Sequence, residues 1–199
     1  AGHIVQGNAC RLDWEQVCPK QEGDEIYVLG NPPYLGARMQ EDSHKSDMDL
    51  VFHGFKNFRD LDYIACWFYK GAQYVKGCNA QMAYVSTNSI CQGLQVGLLW
   101  PSIFKLGIEI QFAHLSFKWT NNAKGNAGVT VAIIGLANKI KKQKLIYVDG
   151  LERKVSNINA YLLDASNTII ERRSKPISNF KEMSFGNMPN DGGGLILSE

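Results

Sequence analysis

Hydrophobic and polar positions along the chain follow two rhythms. Ile26-Tyr27-Val28-Leu29 is an unbroken apolar run with two β-branched members, the pattern of a buried parallel strand. Apolar residues at 61, 64, 65, 68, 72 and 75 have helical spacing over Leu61 to Val75. Asp60 and Asp62 stand where they would cap that helix, and Gly77 where it would stop. Its aromatic residues Tyr63, Trp67, Phe68 and Tyr74 read as core packing. Gln81 to Ser89 is the next strand with its polar turn, and Gln92 to Leu106 a helix interrupted by Pro101. Strands follow at Ile108 to His114, Val129 to Leu136 and Leu145 to Val148. Ahead of the first run, His3 to Asn8 reads as a short strand entering a Gly-Asn turn. Pro19 to Glu25 is a surface loop. Glu41 to Asp49 is polar without apolar periodicity and reads as a mobile segment.

The stretch after Leu29 carries the chemistry. Gly30 lets the backbone turn, and Pro32 and Pro33 fix φ near −65°. Asn31 precedes a proline and is held extended. A rigid loop at the carboxyl end of a strand is where open α/β sheets take ligands. The Asn31 amide oxygen and the Pro32 carbonyl are two acceptors suited to one amino group, and Tyr34 offers a flat face beside them.

Composition changes this picture little. At 45% hydrophobic and 20% charged, the chain can bury an ordinary core, and 199 residues make one domain or one domain and part of another. No apolar run of spanning length occurs, and no basic-then-apolar leader opens the chain. Five cysteines without a C-x-x-C, and scattered histidines, argue for reduced thiols and against a disulfide framework or metal site. Charge is uneven beneath a net +2. Residues 1–62 hold 6 Lys/Arg against 11 Asp/Glu, a balance of −5, and residues 116–154 hold 8 against 2, a balance of +6. The basic part fits a polyanion partner or a solvated lysine-rich surface, and charge alone does not choose between them.

Gly-Asn-Pro-Pro-Tyr directly after an apolar strand resembles the catalytic motif of amino-group methyltransferases that use S-adenosylmethionine, above all the N6-adenine DNA methyltransferases. The resemblance extends to Gly7-Asn8, which matches the turn where a polar side chain after the third strand bonds the cofactor adenine. It also covers the two strands Phe112 to Leu136, whose connecting loop in that family carries an aromatic residue that stacks on the flipped base. The segments Tyr84 to Gly93 and Phe112 to Leu136 are similar to those of single-chain restriction–modification enzymes.

The resemblance implies an α/β fold: a partial Rossmann-like class I methyltransferase sheet with a reversed terminal strand. Residues 3–150 would be the C-terminal part of the catalytic domain and 151–199 the start of a target-recognition region. It implies methyl transfer to a flipped adenine, with Asn31, Pro32, Pro33 and Tyr34 catalytic. Phe117 or Trp119 would stack on the base, and Asn8 and Asn31 would meet the cofactor. The family's glycine-rich cofactor loop and its first two strands find no match, so the chain reads as a fragment, catalytically silent by itself. Expected partners are double-stranded DNA, the rest of the parent polypeptide and, through an open sheet edge, a second copy; no membrane is expected. The expected setting is a prokaryotic cytoplasm. The same motif also serves methylation of protein glutamine and of RNA bases, and a DNA-binding fragment without catalysis is a further reading.

Overall fold

The computed structural model describes residues 3–118, 130–140, 142–171, 173, 175, 178 and 179; Trp119 and the loop-rich stretch 185–197 lie outside them. In chain order the elements are a short helix α1 (Trp14–Val17), β1 (Ile26–Gly30), α2 (Asp42–Val51), α3 (Ala65–Val75), β2 (Ala80–Thr87), α4 (Gly93–Lys105), β3 (Ile108–Lys118), β4 (Thr130–Asn138), β5 (Lys144–Val148) and β6 (Leu151–Val155). The strands form one sheet in the order β1-β2-β4-β3-β5-β6. β1 and β2 are parallel, as are β3 and β5, while β4 runs antiparallel to both its neighbours. The reversed strand expected from the sequence is therefore β4. It lies inside the sheet, and the β5–β6 hairpin extends the sheet beyond it. That hairpin turns at Asp149 and Gly150, both at positive φ, so the ladder runs on to Val155.

α3 and α4 pack together and against the sheet, α3 on β2 and β4, α4 on β3. Phe68 and Trp100, both fully buried, meet edge to face between them, and Phe68 meets Tyr84 of β2 in the same way. Burial of such rings is the largest apolar contribution available to a core of this size. The Trp100 indole N–H donates to the Ile90 carbonyl at 2.8 Å, so its one polar group is satisfied inside.

Several local expectations are corrected. The helix expected from Leu61 begins at Ala65, with Ile64 as its N-cap and no side-chain cap, because Asp62 is drawn to Ser89 and Gln95 instead. α4 runs unbroken through Pro101: buried Leu99, Trp100 and Ile103 hold the helix despite one lost backbone bond. Glu41 to Asp49 is not a mobile segment but the cap and body of α2, started by a reciprocal pairing of Glu41 and His44. His3 to Asn8 is not a strand; Ile4 is exposed and pairs with no described strand. β1 is parallel as expected, but it is not buried on both faces. Tyr27 and Leu29 face outward, and only one of its edges has a partner among the described residues.

Candidate active site

Because β4 is antiparallel to both β2 and β3, strands β1, β2 and β3 all point the same way. Their carboxyl ends share one edge of the sheet, the edge at which open α/β sheets take ligands. Asn31 follows β1 there, Asn88 follows β2, and Phe117 lies near the end of β3. The fold thus brings three separate parts of the chain to one edge.

Asn31 is exposed, and its side chain makes no hydrogen bond to the described residues. Pro32 behind it is buried, Pro33 is exposed, and Tyr34 is half-buried against the core. The exit of this loop is anchored. The Leu35 carbonyl accepts from the Tyr63 N–H at 2.9 Å and from Gln40 Nε2 at 3.3 Å. Gln40, itself buried, also donates to the Leu61 carbonyl at 2.9 Å. Gln95 holds the same strip from the α4 side, accepting from Asp62 N–H at 2.9 Å and donating to the Asp60 carbonyl at 2.8 Å.

The turn after β2 is tied in both directions. Ser89 Oγ donates to Asp62 at 2.5 Å and lies 2.7 Å from Thr87 Oγ1. Asn88 Nδ2 donates to Ser116 Oγ at 2.6 Å, which joins this turn to the end of β3. Phe117 stands next, beyond a register shift after His114, opposite Val131 and 36% exposed.

Asn8 is placed differently from the other candidates. Its Nδ2 donates to Asp47 Oδ2 at 2.8 Å, and its Oδ1 accepts from the Cys10 N–H at 2.8 Å. Its neighbours Ala9 and Leu12, not Asn8 itself, line a cavity of about 820 Å³ that runs the length of β1 to Asn31, Pro32 and Pro33. Trp14, Trp67, Tyr74 and Tyr84 complete that wall. Tyr34 does not line it. The flat aromatic walls and the Asn31 amide suit the nucleoside and methyl end of S-adenosylmethionine. Among the described residues the lining holds no acidic side chain to receive the ribose hydroxyls or the amino group. The fit is to one end of that cofactor. The buried Tyr84 hydroxyl has no partner among the described residues, and burial raises it above the ordinary phenol range.

Sequence reasoning missed Asp47. It is 2% exposed and accepts from Tyr63 Oη at 2.6 Å, Arg11 Nε at 2.6 Å and Asn8. Burial by itself would raise this carboxyl, but the hydrogen bonds from Tyr63, Arg11 and Asn8 outweigh it and hold it below the ordinary carboxylate value. The available signal was the helical spacing of Met48, Val51 and Phe52, which a dense run of polar residues obscured. Among the described residues no cluster of His, Cys, Asp and Glu could hold a metal, the cysteines are free, and no helix is long and apolar enough to cross a membrane.

Comparison with known proteins bears on this arrangement. Residues 1–148 match the model of the MmeI DNA-methyltransferase domain, and residues 164–199 that of the MmeI target recognition domain. The chain is 52% identical, over all 199 residues, to DNA methyltransferase A of Bacillus subtilis (strain 168), of which it covers 23%. It superposes with a TM-score of 0.87 and 42% identity on the Type IIL restriction–modification enzyme MmeI solved in complex with DNA, over 96% of this chain and 26% of that one. The chain therefore spans about a quarter of the length of each of these relatives. With the matched model covering residues 1–148, the chain belongs to the MmeI DNA-methyltransferase domain family.

Proposed function

We propose that this chain is the catalytic-loop portion of a restriction–modification DNA methyltransferase that modifies adenine at N6. The observation that carries the reading is Asn31-Pro32-Pro33-Tyr34 at the carboxyl end of β1, its asparagine amide unengaged by the described residues, in a member of the MmeI DNA-methyltransferase family. Asn31 Oδ1 and the Pro32 carbonyl accept the two N–H groups of the adenine amino group, which turns its nitrogen lone pair outward. Tyr34 stacks on one face of the base, and Phe117 or Trp119 closes the other. The base reaches them only when flipped from the duplex. Holding the nitrogen in line for transfer supplies much of the rate. S-adenosylmethionine, when bound, supplies the methyl group as a sulfonium. Ala9 and Leu12, with Asn31, would face its nucleoside and methyl end.

Duplex DNA as partner is supported by the basic balance of residues 116–154 and by the target-recognition match over 164–199. We propose that the join between the two regions lies near residue 150, at the hairpin that leads into the last described strand, in a cytoplasmic enzyme with reduced thiols. The whole reading is tested by incubating the full-length parent with duplex DNA and labelled S-adenosylmethionine, then identifying the product by nucleoside mass spectrometry. N6-methyladenine lost in the Asn31→Ala variant supports it. Label in cytosine, in RNA only or in protein glutamine overturns it.

A further inference from the structure

The hydrogen bonds around Asp47 tie together two segments that are far apart in sequence. Asp47 Oδ2 receives Asn8 Nδ2 at 2.8 Å and Tyr63 Oη at 2.6 Å, while Oδ1 receives Arg11 Nε at 2.6 Å. Through Asn8 and Arg11 it grips both ends of the turn whose Ala9 and Leu12 line the cavity beside Asn31. Through Tyr63 it reaches the catalytic loop, because the Tyr63 N–H donates to the carbonyl of Leu35, the residue after Tyr34. Lys70 Nζ holds the same turn from α3, donating to the carbonyls of Cys10 at 3.1 Å and Leu12 at 2.8 Å. An apolar replacement would leave the buried Tyr63 hydroxyl without its acceptor and release the exposed Asn8 and Arg11 of the turn.

We propose that Asp47 is a positioning residue for cofactor binding: it sets the distance between the 8–12 turn and the Asn31 loop, and thereby the width of the cavity between them. This rests on the methyltransferase reading above. Asp47 touches neither base nor cofactor; it acts through Asn8, Arg11 and Tyr63. The arrangement also accounts for Asn8. Its amide is held by Asp47 and Cys10, so its contribution to the cavity is the placement of Ala9 behind it.

The geometry predicts a reciprocal exchange. In Asp47→Asn, one position that accepted protons now presents them, and the Asn8 amide faces a second amide. Changing Asn8→Asp in the same chain restores a donor opposite an acceptor. The carboxylate so introduced can still accept from the Cys10 N–H, and the Tyr63 hydroxyl can turn to accept.

The test uses the full-length parent and three variants, D47N, N8D and N8D/D47N, with calorimetric titration of S-adenosylmethionine, duplex-DNA affinity and melting temperature measured for each. D47N and N8D each weaken cofactor affinity by roughly tenfold or more, a loss on the scale of one decade of Kd, and the double variant recovers most of it. DNA affinity of all three stays with the wild type, and KM for the cofactor rises more than kcat falls. Cofactor affinity unchanged in D47N while its melting temperature drops makes Asp47 merely structural and overturns the proposal. So does a double variant that melts like the wild type but binds cofactor no better than the single ones. If the wild-type parent binds no S-adenosylmethionine at all, the methyltransferase reading itself fails and takes the proposal with it.

Discussion

Asn31 and Tyr34 are neighbours with different exposure, and their substitutions separate accordingly. Asn31 has no side-chain hydrogen bond to the described residues, so Asn31→Ala leaves packing untouched and removes the acceptor proposed to act as the amino nitrogen changes shape. In the full-length parent we expect single-turnover methylation to fall by roughly two to three orders of magnitude, the scale of losing one preorganised polar group, with duplex binding retained. Near-normal turnover would remove Asn31 from the mechanism. Tyr34 is half-buried against the core, and the stacking assigned to it needs the ring and not the hydroxyl. Tyr34→Phe should keep capture of the flipped base, measured by fluorescence of 2-aminopurine at the target position, while Tyr34→Ala weakens it by about 1–3 kcal/mol. Equal damage from both would assign the role to the hydroxyl. These two residues were legible because Gly-Asn-Pro-Pro sets its own backbone. Asp47 was not, since its partners lie 16, 36 and 39 residues away and only the folded chain brings them together.

At the scale of elements, strands and helices with clean periods were read at nearly their observed places, and the errors have physical causes. In α2 the first six residues are polar or charged, and the apolar stripe packed in the core is only Met48, Val51 and Phe52, so the periodic signal was thin. The strand expected to end at His114 continues to Lys118, because Phe117 and Lys118 still pair with β4 beyond an irregularity. Such long-range pairing has no local sequence signature. The β3–β4 pairing also carries a packing constraint. Phe112 lies opposite Gly135, and a Cβ on Gly135 would stand 2.1 Å from the Phe112 ring. Gly135→Ala should cost about 1–3 kcal/mol through overpacking, and Phe112→Leu in the same chain should return part of it. Urea unfolding of the parent checks this, and an unchanged midpoint for the single variant would refute it.

For the molecule as a whole, the Asp47 cluster makes stability depend on acid. Its carboxyl is held below its unfolded value of about 3.9. Its contribution is therefore complete above that value and is lost as pH falls through the lower, folded one. Replacing it with asparagine should flatten the decline in melting temperature of the parent as pH falls below about 4; parallel curves for the two proteins would place the acid sensitivity elsewhere. The 199 residues alone should be catalytically silent and bind S-adenosylmethionine weakly, since among the described residues the cavity wall has no acid for the ribose or amino group. Several charge-assisted hydrogen bonds of about 1.5–3 kcal/mol each are then missing. Micromolar binding in a calorimetric titration of the isolated chain would show that its pocket suffices.

β1 carries the motif, yet among the described residues it is bonded on one side only, to β2. In hydrogen–deuterium exchange this strand should therefore show a two-residue alternation: amides turned toward β2 protected, those turned away exchanging almost as fast as a free loop. A strand added along that side, by a longer polypeptide or a second copy, would slow the fast set and leave the others unchanged. The same event would restrain Asn31 at the strand's end. The deuterium uptake of alternate β1 amides is thus a direct gauge of how firmly Asn31 is held.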